Sequence, residues 1–390
     1  MERRIGDRLA ASTAAFAAAS PFLAPASVRS AKPSPAPPPP LQELAHLTAD
    51  EIEAIGREFD ALRAEVAAQL GGLDAGYIRT VIKVQRLLEL TGRGSLLLSR
   101  RRTPFVIGTA LLTLAKVLEN MEIGHNVMHG QYDWMNDPAI SSRTWEWDAV
   151  STAASWKRSH NFQHHTFTNV IGKDRDLGYS AMRVDADQSW HPVHLAQPIY
   201  NIAIALIFEW AIAVYDMELD AVRKGEKSSE QARAEIAAFA RKAGRQIAKD
   251  FLVWPALSGR SARHTALANL IANVARNVWV HTIVFMGHIP EGAVTFSEAQ
   301  AAEETRGQWY VRQLIGSCNL DGTRLFHILS GSLSFQIEHH LFPDIPSYRY
   351  PELAPRVRAV CRRYELPYNS GRLGRQYRSV ARKLLRYSLP

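Results

Sequence analysis

GHNVMHG (124–130), HNFQHH (160–165) and QIEHH (336–340) are the three stretches that decide how this chain is read. They contain His125, His129, His160, His164, His165, His339 and His340, seven of the fourteen histidines in 390 residues. Neutral imidazole is a common ligand for iron, zinc and copper. Imidazoles three or four positions apart on a helix share a face. His125 and His129 have that spacing, as do His160 and His164. His165 lies about 100° further round a regular helix and reaches toward a second metal position. His339 and His340 are adjacent, with Gln336 three residues before the first of them. The ligand set is rich in nitrogen and too large for one ion, so two metals are expected. No HExxH zinc helix occurs, and neither do the ExxH repeats of soluble di-iron bundles.

Around these clusters the chain alternates between apolar and polar segments. Hydrophobic residues make up 46% and the mean hydropathy is −0.17, so a membrane reading rests on local segments. The run 104–118, broken by Lys116, leads directly into the first cluster. The run 196–215 is interrupted by Glu209. A third apolar region covers 251–257 and 265–289, and carries Asn269, Asn273, Arg276, Asn277, His281 and His288. A spanning helix needs about 20 residues, and polar groups at membrane depth are costly and usually functional. No apolar run separates the first two clusters, which places them on one side of a membrane. Two candidate crossings separate the second from the third, so the chain returns and all three clusters can meet. The expected fold is all-α, with the three clusters gathered on one face of the membrane.

The flanks are different. Residues 1–45 are rich in Ala, Ser and Pro and read as a disordered tail or a targeting leader. Thr48 and Glu51 form a capping box. Ile52, Ile55, Phe59, Leu62 and Val66 then follow helical spacing up to Gly71 and Gly72. A second amphipathic helix is predicted over 78–90. The net charge of +8 is concentrated in 349–390, where eleven Arg or Lys face only Glu352 and Glu365. That concentration suits anionic membrane lipid and a cytoplasmic C-terminus. No nucleic-acid motif accompanies it. Cys318 and Cys361 have neither metal spacing nor a disulfide framework.

The three boxes in this order, with MEIGHNVMHGQ (121–131) and FQIEHHLFP (335–343), resemble the membrane fatty acid desaturases of the QxxHH branch. They are similar to bacterial acyl-CoA and acyl-lipid desaturases, including the linoleoyl-CoA type, and to front-end desaturases. The resemblance implies a desaturase domain over 46–365, followed by a basic tail over 366–390. It implies an integral membrane helical bundle with a cytoplasmic helical cap holding two Fe ions, which use O2 and two electrons to remove two hydrogens from an acyl-CoA or acyl-lipid chain. His125, His129, His160, His164, His165, His339 and His340 are then the implied ligands, and Gln336 stands where other branches have His. A further ligand is implied between the second and third boxes. His288 is the choice, and His281 is the competitor, with packing against Asn277 as its alternative role.

Metal-bound imidazoles need their second nitrogen fixed. Glu122, Asn161, Asp174, Asp176 and Glu338 are the candidates, against solvated loop charges as the alternative. His46, His191, His194, His264 and His327 are expected to stand outside the centre. Lys157, Arg158 and Arg175 are candidates to hold an anionic headgroup. The chain has no HPGG, CxxC or GxGxxG element, so a separate electron donor is expected: a ferredoxin or cytochrome b5 with its reductase. Two other readings compete. A hydroxylase on the same scaffold is separated by its product. A zinc transporter is disfavoured because ligands on one side of a membrane form no path.

Overall fold

The computed structural model describes residues 41–390; of the tail or leader expected over 1–45, residues 1–40 lie outside them, and Gln42–Leu44 forms a short helical turn. Helix α1 (Ala49–Ala68) starts at the predicted capping box, with the Glu51 amide donating to Thr48 Oγ1 at 3.3 Å and the Thr48 amide to Glu51 Oε2 at 2.8 Å. It buries Ile55, Phe59, Leu62 and Val66 in a core shared with Ile337, Leu341 and Phe342, so α1 braces the third histidine cluster. The second amphipathic helix is longer than predicted: α2 covers Gly72–Leu96.

Helix α3 (Arg102–Leu118) packs along α2 and continues through a π-helical turn, Glu119–His125, into Asn126–Met128. Among the described residues, Arg102–Met128 is the one stretch long and apolar enough to cross a membrane. The other two expected crossings are less simple. The run 196–215 is split at Ile207 into α4 (Gln197–Leu206) and α5 (Phe208–Asp216). Asn277 Nδ2 donates to the Leu206 carbonyl at 3.0 Å, satisfying an acceptor at the break. Asn277 belongs to a long helix, Ala262–His288, whose Arg276 pairs with Glu209 of α5 at 2.5 Å. Charges inside both segments dilute their apolar character, and the fold neutralises them against each other. Leu98, Val106, Leu252, Leu257, Leu267 and Leu270 are exposed, an apolar surface suited to lipid.

The charged segment expected in water contains α6 (Ser229–Ala248), and the long helix that follows it, Ala262–His288, is α7. Helix α8 (Arg306–Ile315) crosses α1 where Gly56 meets Gly307. A Cβ on Gly307 would sit 2.2 Å from the Ile52 carbonyl oxygen, so only glycine permits that approach. The third cluster lies on α9 (Gln336–Leu341), followed by α10 (Tyr350–Arg363) and α11 (Leu373–Ser388). The fold is predominantly helical, as expected, with one short strand pair added. Strand β1 (Asn319–Asp321) pairs in parallel with β2 (Ser370–Arg372). Three-residue strands carry too little alternation to be read from sequence. The basic C-terminal segment is ordered, with Val380 and Leu384 of α11 buried in the core around α7.

Candidate metal centre

The histidine clusters meet, and the local helix geometry is not the expected one. His125 ends the first π-helical turn, and His160 and His164 lie in a second, Lys157–His164. Such turns bond i to i+5 rather than i+4 and are frequent at functional sites. The i, i+4 spacing read from sequence therefore projects from wider turns than an α-helix provides. The paired rings stay close, with centroids 4.7 Å apart for His125 and His129 and 5.1 Å apart for His160 and His164.

The rings form two lobes. One nitrogen each from His125, His129, His160 and His339 lie within 4.8 Å of one another. His164, His288 and His340 form a second set within the same limit, and His165, His339 and His340 a third. His165 stands between the lobes, stacked on His340 at 4.3 Å and edge-on to His129 at 4.7 Å. His288 at the end of α7 joins the second lobe. His281 does not: two turns earlier, its Nε2 meets Asn201 Oδ1 at 3.0 Å and its ring stacks on Phe285. Its partner is thus Asn201 rather than Asn277. Gln336 reaches the second lobe, with its amide nitrogen 2.8 Å from His288 Nε2 and its Oε1 buried without a partner. The two amide atoms exchange by a flip that presents oxygen instead.

The outer nitrogens are held by the protein. His160 Nδ1 meets Asp176 at 3.1 Å and His164 Nδ1 meets Asp174 at 3.0 Å. The His288 Nδ1–H donates to the Gly316 carbonyl at 3.2 Å, and His340 Nδ1 lies 3.0 Å from Gln313 Oε1. His339 Nδ1 lies 3.4 Å from the Tyr350 hydroxyl. The inner nitrogens contrast with these. Nε2 of His160 and His340 and both ring nitrogens of His129 are buried with no hydrogen-bond partner, and Nε2 of His125 and His339 face each other at 3.4 Å. Buried polar atoms normally have partners. Inward lone pairs on rings whose other nitrogen is fixed are what metal ligation requires, so the residues present fit a bound metal.

Electrostatics agree with that division. Burial, reinforced by neighbouring imidazoles, pushes His165, His339 and His340 well below the usual histidine range, which keeps them neutral and ligand-competent. Burial also acts on His164, but Asp174 and Asp176 outweigh it and raise that ring. Asp176 is held at about 2 against the effect of burial by His164 and His160.

Asp174 and Asp176 thus stand on the rings as expected, while the other expected orienting groups do not. Glu122 accepts from Tyr77 and Ser347, at 2.7 and 3.1 Å. Asn161 donates to the Met128 carbonyl at 2.8 Å. Glu338 accepts from Asn319 and Tyr368, both at 2.8 Å, tying α9 to β1, and burial pushes it up to about 7. The three headgroup candidates are committed to the fold. Lys157 bonds the Ser142 carbonyl, Arg158 bridges Glu218 and Glu235, and Arg175 pairs with Asp220. Gln313 and Tyr350 escaped sequence reading, because nothing in their local pattern points to histidines distant in the chain. Thr168 had a signal: it lies one turn after His164, and its hydroxyl reaches both the His164 carbonyl and His340 Nδ1.

A cavity of about 70 Å³ opens from His125 and His160 between α3, α5 and α7. Met121, Trp147, Trp156, Phe208, Ile212 and Val284 give it mainly apolar walls.

The fatty acid desaturase family model matches residues 102–372. The NADPH-dependent stearoyl-CoA 9-desaturase of Mycobacterium tuberculosis is 46% identical over 350 residues, covering 89% of this chain and 82% of that protein. The sn-1 linoleoyl-lipid 6-desaturase of Synechocystis sp. is 23% identical over 67% of this chain and 74% of its own. Human fatty acid desaturase 3 is 26% identical over 55% of this chain and 46% of its own.

Proposed function

This chain belongs to the fatty acid desaturase family, and we propose that it introduces a double bond at carbon 9 of a long saturated acyl-CoA. Desaturation of a fatty acyl chain is the reaction of the family and of this chain. The acyl carrier and bond position rest on one observation, the 46% identity to a stearoyl-CoA 9-desaturase across 89% of the chain. The same relative's dependence on NADPH supports a reductase-linked donor, with a ferredoxin or cytochrome b5 as the carrier. The family is membrane-associated. The basic C-terminal region supports a cytoplasmic metal site and C-terminus.

We assign the two irons to the two lobes: His125, His129, His160 and His339 on one side, and His164, His288 and His340 on the other. His165 lies between them, and Gln336 beside His288. Iron with O2 supplies the oxidising power that side-chain acid–base chemistry lacks for unactivated C–H bonds. The chain loses two hydrogens, and O2 with two electrons and two protons from the donor becomes two waters. The protein's own residues do the remaining work. Asp174, Asp176, Gln313 and the Gly316 carbonyl hold the outer ring nitrogens, so the inner lone pairs converge. Trp147, Trp156, Phe208 and Val284 exclude water and fix the register of the chain. Registration within about 1 Å selects the bond that reacts.

Expression in a host lacking the activity, followed by fatty-acid profiling, tests the reading. A new double bond at carbon 9 of saturated substrates is expected. Hydroxy acids, or unsaturation at another carbon, contradict it.

A further inference from the structure

The apolar cavity ends on an ion pair. Arg276 of α7 and Glu209 of α5 meet at 2.5 Å, and both line the cavity that begins at the histidines. Arg276 is 2% exposed and Glu209 10% at the side chain, so the pair is removed from water. Arg276 also donates to Asn277 Oδ1 at 3.0 Å and to the Asp148 carbonyl at 3.3 Å, and Asn277 donates to the Leu206 carbonyl. These bonds join α4, α5, α7 and the loop at Asp148 into one rigid partition.

Behind the partition lies a second cavity of about 170 Å³. It shares Glu209 and Asn277 with the first; Trp210, Phe251 and Val274 give it apolar walls, and Lys116, Asp148 and Asp250 line the rest. Leu206, Ile207 and Leu270 form its outer edge, each roughly half exposed on the apolar surface. Glu209 and Asn277 thus face both cavities, with Arg276 beside them on the histidine side. The partition stands twelve residues before His288 on α7, about 18 Å along the helix.

We infer that the Glu209–Arg276 pair, backed by Asn277, is the end wall of the acyl cavity and sets the longest chain the enzyme accepts. The inference rests on the reading that this cavity holds the acyl chain. A terminal methyl group gains nothing against a desolvated ion pair, and it cannot separate the pair without leaving two buried charges unmatched. Each methylene beyond the wall therefore has no apolar place to go, although an apolar space exists behind it. An apolar wall would yield by small rotamer changes. A hydrogen-bonded ion pair spanning several elements does not.

Replacing both partners by leucine (Glu209→Leu with Arg276→Leu) removes both charges together and joins the cavities. Saturated acyl chains two to four carbons longer than the preferred one are then desaturated about tenfold better relative to it, with the double bond still at the same carbon. Two companions make the result decisive. Val274→Phe fills only the second cavity and leaves the product profile of the parent chain unchanged. Val284→Trp blocks the first cavity and shifts products to shorter chains or removes them. An unchanged profile with Val284→Trp overturns the placement of the acyl chain itself. A changed profile with Val274→Phe, or an unchanged length preference in the double variant when Val284→Trp acts, overturns the wall alone. Should the double variant not reach the membrane, Val274→Phe decides.

Discussion

Helix α3 carries two buried polar regions that obey opposite rules. Around Lys116, charge meets charge. Asp250 accepts from Lys116 at 2.9 Å and from Arg93 at 3.1 Å, while Asp148 contacts Lys116 and Lys249. Nine residues further on, around His125, rings meet rings, and inner nitrogens of His129, His160 and His340 meet nothing. Both regions lie in the interior and on shared helices. The first is complete as protein and holds α2, α3 and α7 together. The second is complete only with a ligand, and its protein partners sit on the outside of the rings. Burial of polar groups alone does not mark a site. A converging set of unsatisfied atoms with satisfied backs does.

The largest expected effect breaks that comparison at the centre. His129→Ala or His340→Ala abolishes product and lowers bound metal while the protein still accumulates in the membrane, since the inner nitrogen that each removes has no partner within the protein. Lipid analysis beside an immunoblot of the membrane fraction checks both halves, and full activity in either variant contradicts the assignment. The ionic region responds in the opposite sense. Asp250→Ala removes the carboxylate that Lys116 and Arg93 share, leaving them only Asp148 and Glu89, and costs about 3–5 kcal/mol of stability. It is read as a lower melting temperature with unchanged metal per folded chain.

Smaller effects sharpen the boundary between ring and support. Asp174→Asn keeps a similar shape but removes the charge at His164 Nδ1, and iron affinity falls about 10–100-fold. A chelator competition measures it, and wild-type affinity would place Asp174 outside the support. The smallest change is Gly287→Ala. Its Cβ would lie 2.9 Å from Gln336 Cδ, so that flexible side chain gives way. Turnover falls a few-fold with the metal retained, and a wild-type rate would show that the Gln336 position is immaterial.

The histidine cluster was legible because its chemistry is local and repeated: seven histidines in three windows, with His288 added through the family resemblance as the histidine at the end of an apolar run. Asp174 and Asp176 were legible by proximity to the second box. The supports from Gln313, Tyr350 and the Gly316 carbonyl were not, because they reach the rings through tertiary contacts. The π-helical turns were invisible for a related reason, since an HxxxH spacing is compatible with an α-helix and a wider turn alike. Proximity also misled. Glu122, Asn161 and Glu338 neighbour ligands in sequence but hold helices and loops in place rather than rings. Lys157, Arg158 and Arg175 read as free cations because their acidic partners, such as Glu235 and Asp220, lie far along the chain. The membrane runs were legible as apolar, but the pairing of Glu209 with Arg276 across two of them was not.

Metal content per chain tests the central claim most directly. Protein purified without chelators and analysed by plasma mass spectrometry is expected to hold two irons per chain, one for each lobe of the histidine centre. One ion per chain, or zinc in place of iron in a preparation that desaturates, would contradict the two-lobed iron site.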